Sequence, residues 1–313
     1  MKKPDIGKSV KVGLVGLLAG AAGMGGAAAL GNRLYDLLMT PPAKGDAPVD
    51  DPVRKGTEWL YGRGCRRDVN ISAVDGLLLH AHYLPAAETS HRWAVCVHGY
   101  GRSGEDMGHF ARHYAEAGWN VVLPDLRGHG ASEGSYIGFG WDDRLDLVSW
   151  VSWIMRRDAQ AHIILHGLSM GAAAVLMTTG GALPANVKGA VSDCSYTTAS
   201  ALLKLIIQKS ERWHGPTGAA MSALRSTVKR RAHYDLEKAD ALNAVSRSRT
   251  PTLFIHGVAD ELIPAAMMAE LYEQARCPKE FLWMPHAGHA KSVLADPELY
   301  WNTVDDFLTR QEQ

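Results

Sequence analysis

The stretch that decides the fold reads Ala161-His162-Ile163-Ile164-Leu165-His166-Gly167-Leu168-Ser169-Met170-Gly171-Ala172-Ala173-Ala174-Val175-Leu176-Met177. It opens with an apolar run typical of a buried strand and closes with a run typical of a helix. Gly167 and Gly171 stand two residues on either side of Ser169, where an incoming strand and an outgoing helix pass too closely for side chains. The stretch therefore predicts a strand, a sharp turn and a helix, with a serine at the apex of the turn.

A turn of this kind holds its serine at strained backbone angles and pushes the hydroxyl out of the sheet. An exposed hydroxyl in that position serves nucleophilic catalysis, so Ser169 is predicted to be a nucleophile. A bare G-x-S-x-G pattern also occurs by chance, and a lone serine is a common helix N-cap. The flanking strand and helix favour the nucleophile, because they supply the structural context that the motif requires.

Composition excludes several classes of protein. The 313 residues carry 33 Lys and Arg against 33 Asp and Glu, so no net field favours nucleic acid as a partner. The four cysteines form no C-x-x-C pair, and the 14 histidines show no H-E-x-x-H spacing. Neither a metal site nor a cofactor is therefore predicted.

The N-terminus differs from the rest of the chain. Four lysines within residues 2–11 precede an uncharged stretch from Val12 to Leu30 that is rich in Gly and Ala. Its length favours a membrane anchor, whereas its six glycines and the run Ala27-Ala28-Ala29 fit a cleaved signal peptide. A buried helix is the third interpretation. Because the lysines stay on the cytoplasmic side, an anchor predicts a single-pass protein of the cell membrane with an extracytoplasmic catalytic domain, and a cleaved signal predicts a secreted one.

The chain is predicted to divide into three parts. Residues 1–31 form the anchor or signal segment, residues 32–64 a Pro-rich linker and lead-in, and residues 65–313 the catalytic domain. The stretch from Thr40 to Pro52 is rich in proline and acidic residues and is predicted to form no regular element.

Strand and helix patterns alternate through most of the catalytic domain. It opens with a hairpin of strands Asp68 to Ser72 and Leu77 to Tyr83, which turns at Asp75-Gly76. Further strands are predicted at Trp93 to His98, Asn120 to Leu123, Ala161 to His166, Lys188 to Ser192, Pro251 to His256 and Glu280 to Met284, and helices at Glu105 to Ala117, Asp142 to Arg157, Pro264 to Ala275 and Pro297 to Arg310. This order predicts an α/β fold with a mostly parallel central sheet of about eight strands and helices on both faces.

One interval interrupts the alternation. Residues 196–248 contain helix-like runs but no strand pattern, and they are predicted to form a short helical lid. Seven basic residues against two acidic ones lie between Tyr196 and Asp235. One hypothesis is that this basic, amphipathic lid contacts anionic lipid. The alternative is that it packs through its apolar side and leaves its basic face in solvent.

A serine hydroxyl is a weak nucleophile at neutral pH, so it needs a general base, and the base needs an orienting carboxylate. Candidates follow the last two predicted strands. Asp260 comes after the strand that ends at His256, and His289 lies in the loop after the strand that ends at Met284. The chain order Ser169, Asp260, His289 is the order expected of an α/β hydrolase.

Several short motifs carry a wider resemblance. They are His98-Gly99-Tyr100-Gly101, Asp125 to Ser132, Gly167 to Gly171, His256-Gly257-x-x-Asp260 and His289-Ala290-x-Ser292. On these motifs, about the last four-fifths of the chain resembles serine hydrolases of the α/β-hydrolase superfamily, within the membrane-anchored bacterial branch with a short cap that is related to esterases and monoacylglycerol lipases. The resemblance implies Ser169 as the nucleophile, His289 as the base and Asp260 as the orienting acid. It also implies an oxyanion hole formed by the backbone N–H groups of Tyr100 and Met170.

Two rival residues stay open. His286 lies three residues before His289 and is an alternative base, and Asp193, which follows another predicted strand, is an alternative orienting carboxylate. Asp125 and Arg127 are predicted to brace the turn after the fourth strand through a local salt bridge rather than to take part in catalysis.

The function predicted from the sequence is a serine esterase that acts on a small-molecule or lipid-like carboxylic ester through an acyl-enzyme intermediate. A peptidase or amidase is the alternative within the enzymes, because it uses the same groups. A catalytically inactive binding protein on a hydrolase fold is the alternative of another class.

Overall fold

The apolar strand patterns of the sequence become one eight-stranded sheet in the computed structural model, which describes residues 24–41, 50–211 and 213–311. The strands are β1 (Arg67–Ser72), β2 (Leu78–Leu84), β3 (Arg92–Val97), β4 (Asn120–Pro124), β5 (His162–Leu168), β6 (Val187–Asp193), β7 (Thr252–Gly257) and β8 (Lys279–Met284). They lie in the order β1-β2-β4-β3-β5-β6-β7-β8. β2 pairs antiparallel with β1 and β4, and the other neighbours pair in parallel. The predicted fold class is confirmed.

Helices cover both faces of the sheet. They are α1 (Met24–Leu38), α2 (Asp51–Tyr61), α3 (Gly108–Glu116), α4 (Asp143–Arg157), α5 (Met170–Thr179), α6 (Ala199–Lys209), α7 (Thr217–Arg231), α8 (Ala241–Val245), α9 (Ala266–Gln274), α10 (Ser292–Ala295) and α11 (Pro297–Gln311). One apolar core includes side chains of α3 and α11, such as Phe110 and Phe307, and the other includes side chains of α4 and α5, such as Trp150 and Leu176. A sheet buried on both faces requires apolar residues at consecutive strand positions, and every residue of β4 and β7 is buried.

The interval 196–248, predicted to form a lid, contains α6, α7, a 3₁₀ helix at Leu236–Lys238 and α8, and we call it the cap. Helix α7 buries an apolar side that includes Leu224 and Val228. On its basic side, Arg225 pairs with Glu237 at 2.8 Å and Arg231 with Asp36 at 2.6 Å. The cap therefore packs through its apolar side, and some of its excess positive charge meets carboxylates of the same chain.

The predicted anchor segment lies only partly within the described residues. Residues 1–23 are outside them, and residues 24–31 belong to α1, which continues to Leu38 and buries Leu34 and Tyr35. The boundary predicted at residue 31 falls inside this helix. Within residues 24–41, 50–211 and 213–311, no helix combines the length and the apolarity needed to cross a bilayer.

The prediction that no regular element forms up to Pro52 is wrong at its C-terminal end. Helix α2 begins at Asp51 and carries Pro52 in its first turn, where a missing N–H costs no intrahelical bond. Leu60 is fully buried, and a Cβ on Gly56 would lie 2.3 Å from the backbone N of His109. Helix α2 therefore packs closely on α3, although the predicted catalytic domain starts at residue 65.

The turn after β4 is braced, although Arg127 and Asp125 pair with other residues rather than with each other. The Arg127 guanidinium donates to both carboxylate oxygens of Asp146 at 2.8 and 2.7 Å and to Asp75 at 2.9 Å. Asp125 lies 2.8 Å from His80 Nδ1 and accepts two backbone N–H bonds at 2.7 and 2.8 Å. Burial alone would raise the pKa of Asp125, but these hydrogen bonds outweigh it and lower the pKa to about 2.

The buried carboxyl of Asp143, the first residue of α4, should make the stability of the fold depend on pH. It is buried and accepts a hydrogen bond from the Gly140 N–H at 2.9 Å. Burial, followed by repulsion from Asp146, raises the pKa of Asp143 to about 7. A carboxyl with a higher pKa in the folded chain than in the unfolded chain binds more protons when folded, so its stabilising contribution is lost as the pH rises from about 4 to about 7.

We expect Asp143→Asn to keep a side-chain oxygen that accepts the Gly140 N–H. Because asparagine does not ionise, the variant should lose much less stability than the parent chain as the pH rises. The free energy of unfolding in urea, measured at about pH 5 and about pH 8, should fall by about 2 kcal/mol more in the parent chain than in the variant. Asp306→Asn, at an exposed position on α11, is the matched control and should behave like the parent chain. Equal pH dependence in Asp143→Asn and the parent chain would contradict a protonated Asp143.

Candidate active site

The predicted turn is present at the carboxyl end of β5. Ser169 has φ 56° and ψ −116°, a conformation that residues other than glycine rarely adopt, and α5 begins at the next residue. A Cβ on Gly167 would lie 2.4 Å from the Gly171 carbonyl oxygen, and a Cβ on Gly171 would lie 2.3 Å from the Val97 carbonyl oxygen. Both glycines are therefore required by close backbone approach, and the serine is held in a strained turn at the rim of the sheet.

The loops after β7 and β8 bring Asp260 and His289 to the same rim. Ser169 Oγ lies 2.8 Å from His289 Nε2, and His289 Nδ1 lies 2.7 Å from Asp260 Oδ2. The other oxygen of Asp260 accepts the N–H groups of Leu262 and Ile263 at 2.9 and 2.8 Å. The structure thus joins the three predicted side chains in one hydrogen-bonded row, which we call the Ser-His-Asp row.

His256 is a further member of this site. Its Nε2 lies 3.3 Å from Asp260 Oδ2 and 3.0 Å from the Ile263 carbonyl oxygen. Burial alone would raise the pKa of Asp260, but hydrogen bonds from His256 and His289 outweigh it and hold the pKa well below its ordinary range. An ionised Asp260 keeps the proton of His289 on Nδ1, which leaves Nε2 free to accept the proton of Ser169.

In the sequence, His256 appears only as the end of a predicted strand and as part of a motif, with no role of its own. The signal that identifies it is the spacing His256-Gly257-x-x-Asp260, because a histidine at the end of a strand and an aspartate four residues later meet across the tight loop.

The two predicted oxyanion donors belong to segments next to Ser169. Met170 is the first residue of α5, so its N–H has no acceptor within the helix. A Cβ on Gly99 would lie 3.3 Å from Ser169 Cβ, so the loop that carries the Tyr100 N–H runs directly beside the serine. The Tyr100 hydroxyl donates to the Leu38 carbonyl oxygen at 3.3 Å.

Residues 89–232 match the family model described as serine aminopeptidase, S33. The match includes Ser169 and ends before Asp260 and His289. The chain is 26% identical over 239 residues to the uncharacterized protein YqkD of Bacillus subtilis (strain 168), covering 76% of this chain and 77% of that protein. It is 28% identical over 199 residues to the alpha/beta hydrolase domain-containing protein WAV2 of Arabidopsis thaliana, covering 61% of each.

Among solved structures, the esterase Pf2001 of Pyrococcus furiosus superposes with a TM-score of 0.62 at 24% identity, covering 87% of this chain and 98% of that one. The chain is a member of the α/β-hydrolase superfamily. The family model and the fold together support a hydrolase.

In this α/β hydrolase, the rival residues His286 and Asp193 have different contacts from the predicted base and acid. His286 is exposed, and in the part of the chain that the structure describes no hydrogen bond joins it to Ser169 or Asp260. Asp193 is buried at the end of β6, where it accepts the Ser292 hydroxyl at 2.8 Å, and burial raises its pKa to about 6. The carboxylate that contacts His289 Nδ1 is Asp260, so the geometry pairs the predicted base with the predicted acid.

Two groups of described side chains in this α/β hydrolase have donor atoms suited to a metal ion. They are Asp68, His80 and His82, and Cys194, Asp260 and His289, with the ligand atoms of each group within 4.8 Å of one another. In the first group, the Arg66 guanidinium contacts Asp68 and lies 2.9 Å from His82 Nδ1, so a side-chain cation already neutralises the carboxylate. In the second, a metal would bind the carboxylate and the ring of the Ser-His-Asp row and compete with its hydrogen bonds.

A cavity of about 270 Å³ lies apart from the Ser-His-Asp row. Its wall includes Met177, eight residues beyond Ser169 and therefore about 12 Å further along α5. Arg144, which also lines it, stacks 3.4 Å from the centroid of the Trp141 ring. The cavity thus belongs to the junction of α4, α5 and the cap rather than to the reacting serine.

Proposed function

We propose that this α/β hydrolase is a serine hydrolase that cleaves carboxylic esters through an acyl-enzyme intermediate. The observation that carries the proposal is the Ser-His-Asp row, with 2.8 Å between Ser169 Oγ and His289 Nε2 and 2.7 Å between His289 Nδ1 and Asp260 Oδ2. A hydroxyl, a neutral imidazole and an ionised carboxylate in this order are the groups that acyl transfer needs.

Each group has a defined step. His289 Nε2 takes the hydroxyl proton as Ser169 Oγ attacks the ester carbonyl carbon, and the negative charge that develops on the carbonyl oxygen is stabilised by the N–H groups of Tyr100 and Met170. The protonated His289 then donates its proton to the departing alcohol oxygen, which leaves the acyl group on Ser169. Water attacks the acyl-enzyme with His289 as the base and releases the carboxylic acid.

Ester substrates are favoured by the structural comparison, because Pf2001 is an esterase and shares the fold over most of both chains. A peptidase is the second candidate, because the family model is described as a serine aminopeptidase. Both reactions use the same row, and they differ in the leaving group that His289 must protonate.

A fluorophosphonate probe tests the proposal, because it phosphonylates an activated serine. We expect the folded protein to be labelled on Ser169, as located by mass spectrometry of its peptides, and the heat-denatured protein to stay unlabelled. On a nitrophenyl ester and the matching nitroanilide, kcat/KM should favour the ester by a factor on the order of 10² or more. An unlabelled folded protein would refute the serine hydrolase, and a preference for the anilide would favour the peptidase.

We further propose that the catalytic domain lies outside the cytoplasm on a membrane tether. The support is the lysine-rich start followed by the uncharged stretch from Val12 to Leu30. Cleavage at Ala27-Ala28-Ala29 would cut through α1, which supports the uncleaved anchor over the removed signal. Protease added to spheroplasts should digest the domain, and its protection there would contradict the proposed side of the membrane.

A further inference from the structure

Helix α1 packs directly against helix α7 of the cap. Gly31 lies against α7 so closely that a Cβ there would be 2.3 Å from Thr227 Oγ1 and 2.5 Å from the Ala223 carbonyl oxygen. Leu34 and Tyr35 are buried in the same apolar core as Leu224 of α7. The two helices are therefore in contact at backbone distance, although about two hundred residues separate them in the sequence.

Polar contacts fix the position of α1 along α7. Arg231 pairs with Asp36 at 2.6 Å, and its guanidinium carbon lies 3.9 Å from the centroid of the Tyr35 ring. Arg230 donates to the side-chain oxygen of Asn32 at 2.9 Å. These contacts are specific to one register, since sliding α1 by a turn would break all of them.

The C-terminal end of α1 reaches the loop beside the nucleophile. The Leu38 carbonyl oxygen accepts the Tyr100 hydroxyl at 3.3 Å, and the next residue, Met39, is fully buried and accepts the Ile137 N–H at 2.6 Å. The Tyr100 ring also stacks on Phe139, with 5.8 Å between ring centroids. Tyr100 thus has its hydroxyl bound to α1, and the residue directly before it in the chain, Gly99, lies beside Ser169.

We propose that α1 is a positioning element of the active site, which holds Tyr100 from its hydroxyl end and thereby sets the position of the Tyr100 N–H in the oxyanion hole. The inference rests on the proposed esterase function and extends it to a segment that precedes the catalytic domain. An oxyanion donor acts only within a narrow range of distances from the developing negative charge, so a small displacement of Tyr100 weakens it.

The proposal predicts a particular kinetic signature. The oxyanion forms in the transition state and not in the bound ester, so a displaced donor lowers kcat and leaves KM nearly unchanged. A helix that served only as a wall for the substrate would instead raise KM when displaced.

Gly31→Leu tests the proposal by forcing α1 away from α7. We expect kcat for a short activated ester to fall by a factor on the order of 10 to 100, with KM within about twofold, after normalisation to the fraction of protein that fluorophosphonate titrates. Gly218→Leu is the matched control, because Gly218 lies on α7 with no atom near its Cβ position and should keep the parent kcat. Unchanged kcat in a folded Gly31→Leu variant would overturn the proposal.

Tyr100→Phe is the second variant, and it decides the question if Gly31→Leu does not fold. It removes only the hydrogen bond to Leu38, so we expect kcat to fall about threefold to tenfold with KM unchanged. Tyr83→Phe is its control, because it loses a 3.2 Å hydrogen bond to Asn120 in the sheet, away from Ser169. Equal kcat values in the two tyrosine variants would overturn the role of α1.

The failure of this proposal is distinguishable from the failure of the proposed function. If the parent chain is labelled by fluorophosphonate and hydrolyses the ester, the function stands whatever the variants do. If α1 forms only a wall of the site, KM rises in Gly31→Leu while kcat holds, and the positioning role is refuted.

Discussion

Ser169→Ala is expected to lower kcat/KM for an activated ester by a factor on the order of 10⁵ to 10⁶. Alanine keeps the backbone of the turn but removes the oxygen that lies 2.8 Å from His289 Nε2, so no acyl-enzyme can form. The oxyanion donors and the binding contacts remain, and they account for the residual rate over the uncatalysed reaction. The measurement is initial-rate hydrolysis of a nitrophenyl ester, with circular dichroism to show that the variant is folded.

Because Ser169 and His289 act as a unit, their effects should not add. His289→Ala alone, and the double variant Ser169→Ala/His289→Ala, should each lose about as much activity as Ser169→Ala. The matched control is His286→Ala, three residues away and exposed, which should stay within about twofold of the parent chain. A large loss in His286→Ala with activity retained in His289→Ala would exchange the roles of the two histidines.

Asp260→Asn is expected to lower kcat by a factor on the order of 10⁴. An asparagine fits the same space and keeps an oxygen for the N–H groups of Leu262 and Ile263, but its NH₂ group donates toward His289 Nδ1. The ring then carries its proton on Nε2 and cannot accept the proton of Ser169. The pH dependence of kcat checks this mechanism, since part of the loss should be recovered at alkaline pH, where Ser169 needs less assistance.

Asp193→Asn is the comparison that decides between the two carboxylates. Asp193 is buried beside Ser292 and has no contact with His289 Nδ1, whose partner at 2.7 Å is Asp260. We expect Asp193→Asn to change kcat by less than about tenfold. If kcat fell by a factor near 10⁴ in Asp193→Asn while Asp260→Asn stayed nearly active, Asp193 would be the carboxylate that orients the base.

How far the site could be predicted is shown best by its glycines. Gly167 and Gly171 are informative in sequence because the turn leaves no room for a Cβ at either position, so the pattern is imposed by a local steric condition. Asp260 and His289 could be predicted from a condition on the sheet as a whole rather than on one turn. Parallel strands present their carboxyl ends at one edge, so loops that follow β5, β7 and β8 must meet there.

The N-terminal region shows what such reasoning could not predict, which is the packing of α1 on α7. A stretch rich in Gly and Ala has the composition of a weak membrane span, and it also has the small side chains that allow one helix to touch another, as Gly31 touches α7. Composition alone does not distinguish these two uses. Helix α1 packs on cap helix α7, which lies far along the chain. No local sequence pattern in either helix predicts that the other is its packing partner.

The amino-acid sequence by itself determined the order of most strands and helices, the turn at Ser169 and the place of Asp260 and His289 among the candidates that follow the last two strands, because each depends on hydrophobic period, steric fit or the polarity of parallel strands. Only the tertiary structure decided that Asp260 rather than Asp193 contacts His289, that His256 shares the Asp260 carboxylate, that α1 packs on the cap, and that Tyr100, in a loop beside Ser169, donates to Leu38. The physical reason is that these are contacts between surfaces, and a surface exists only after distant segments have packed.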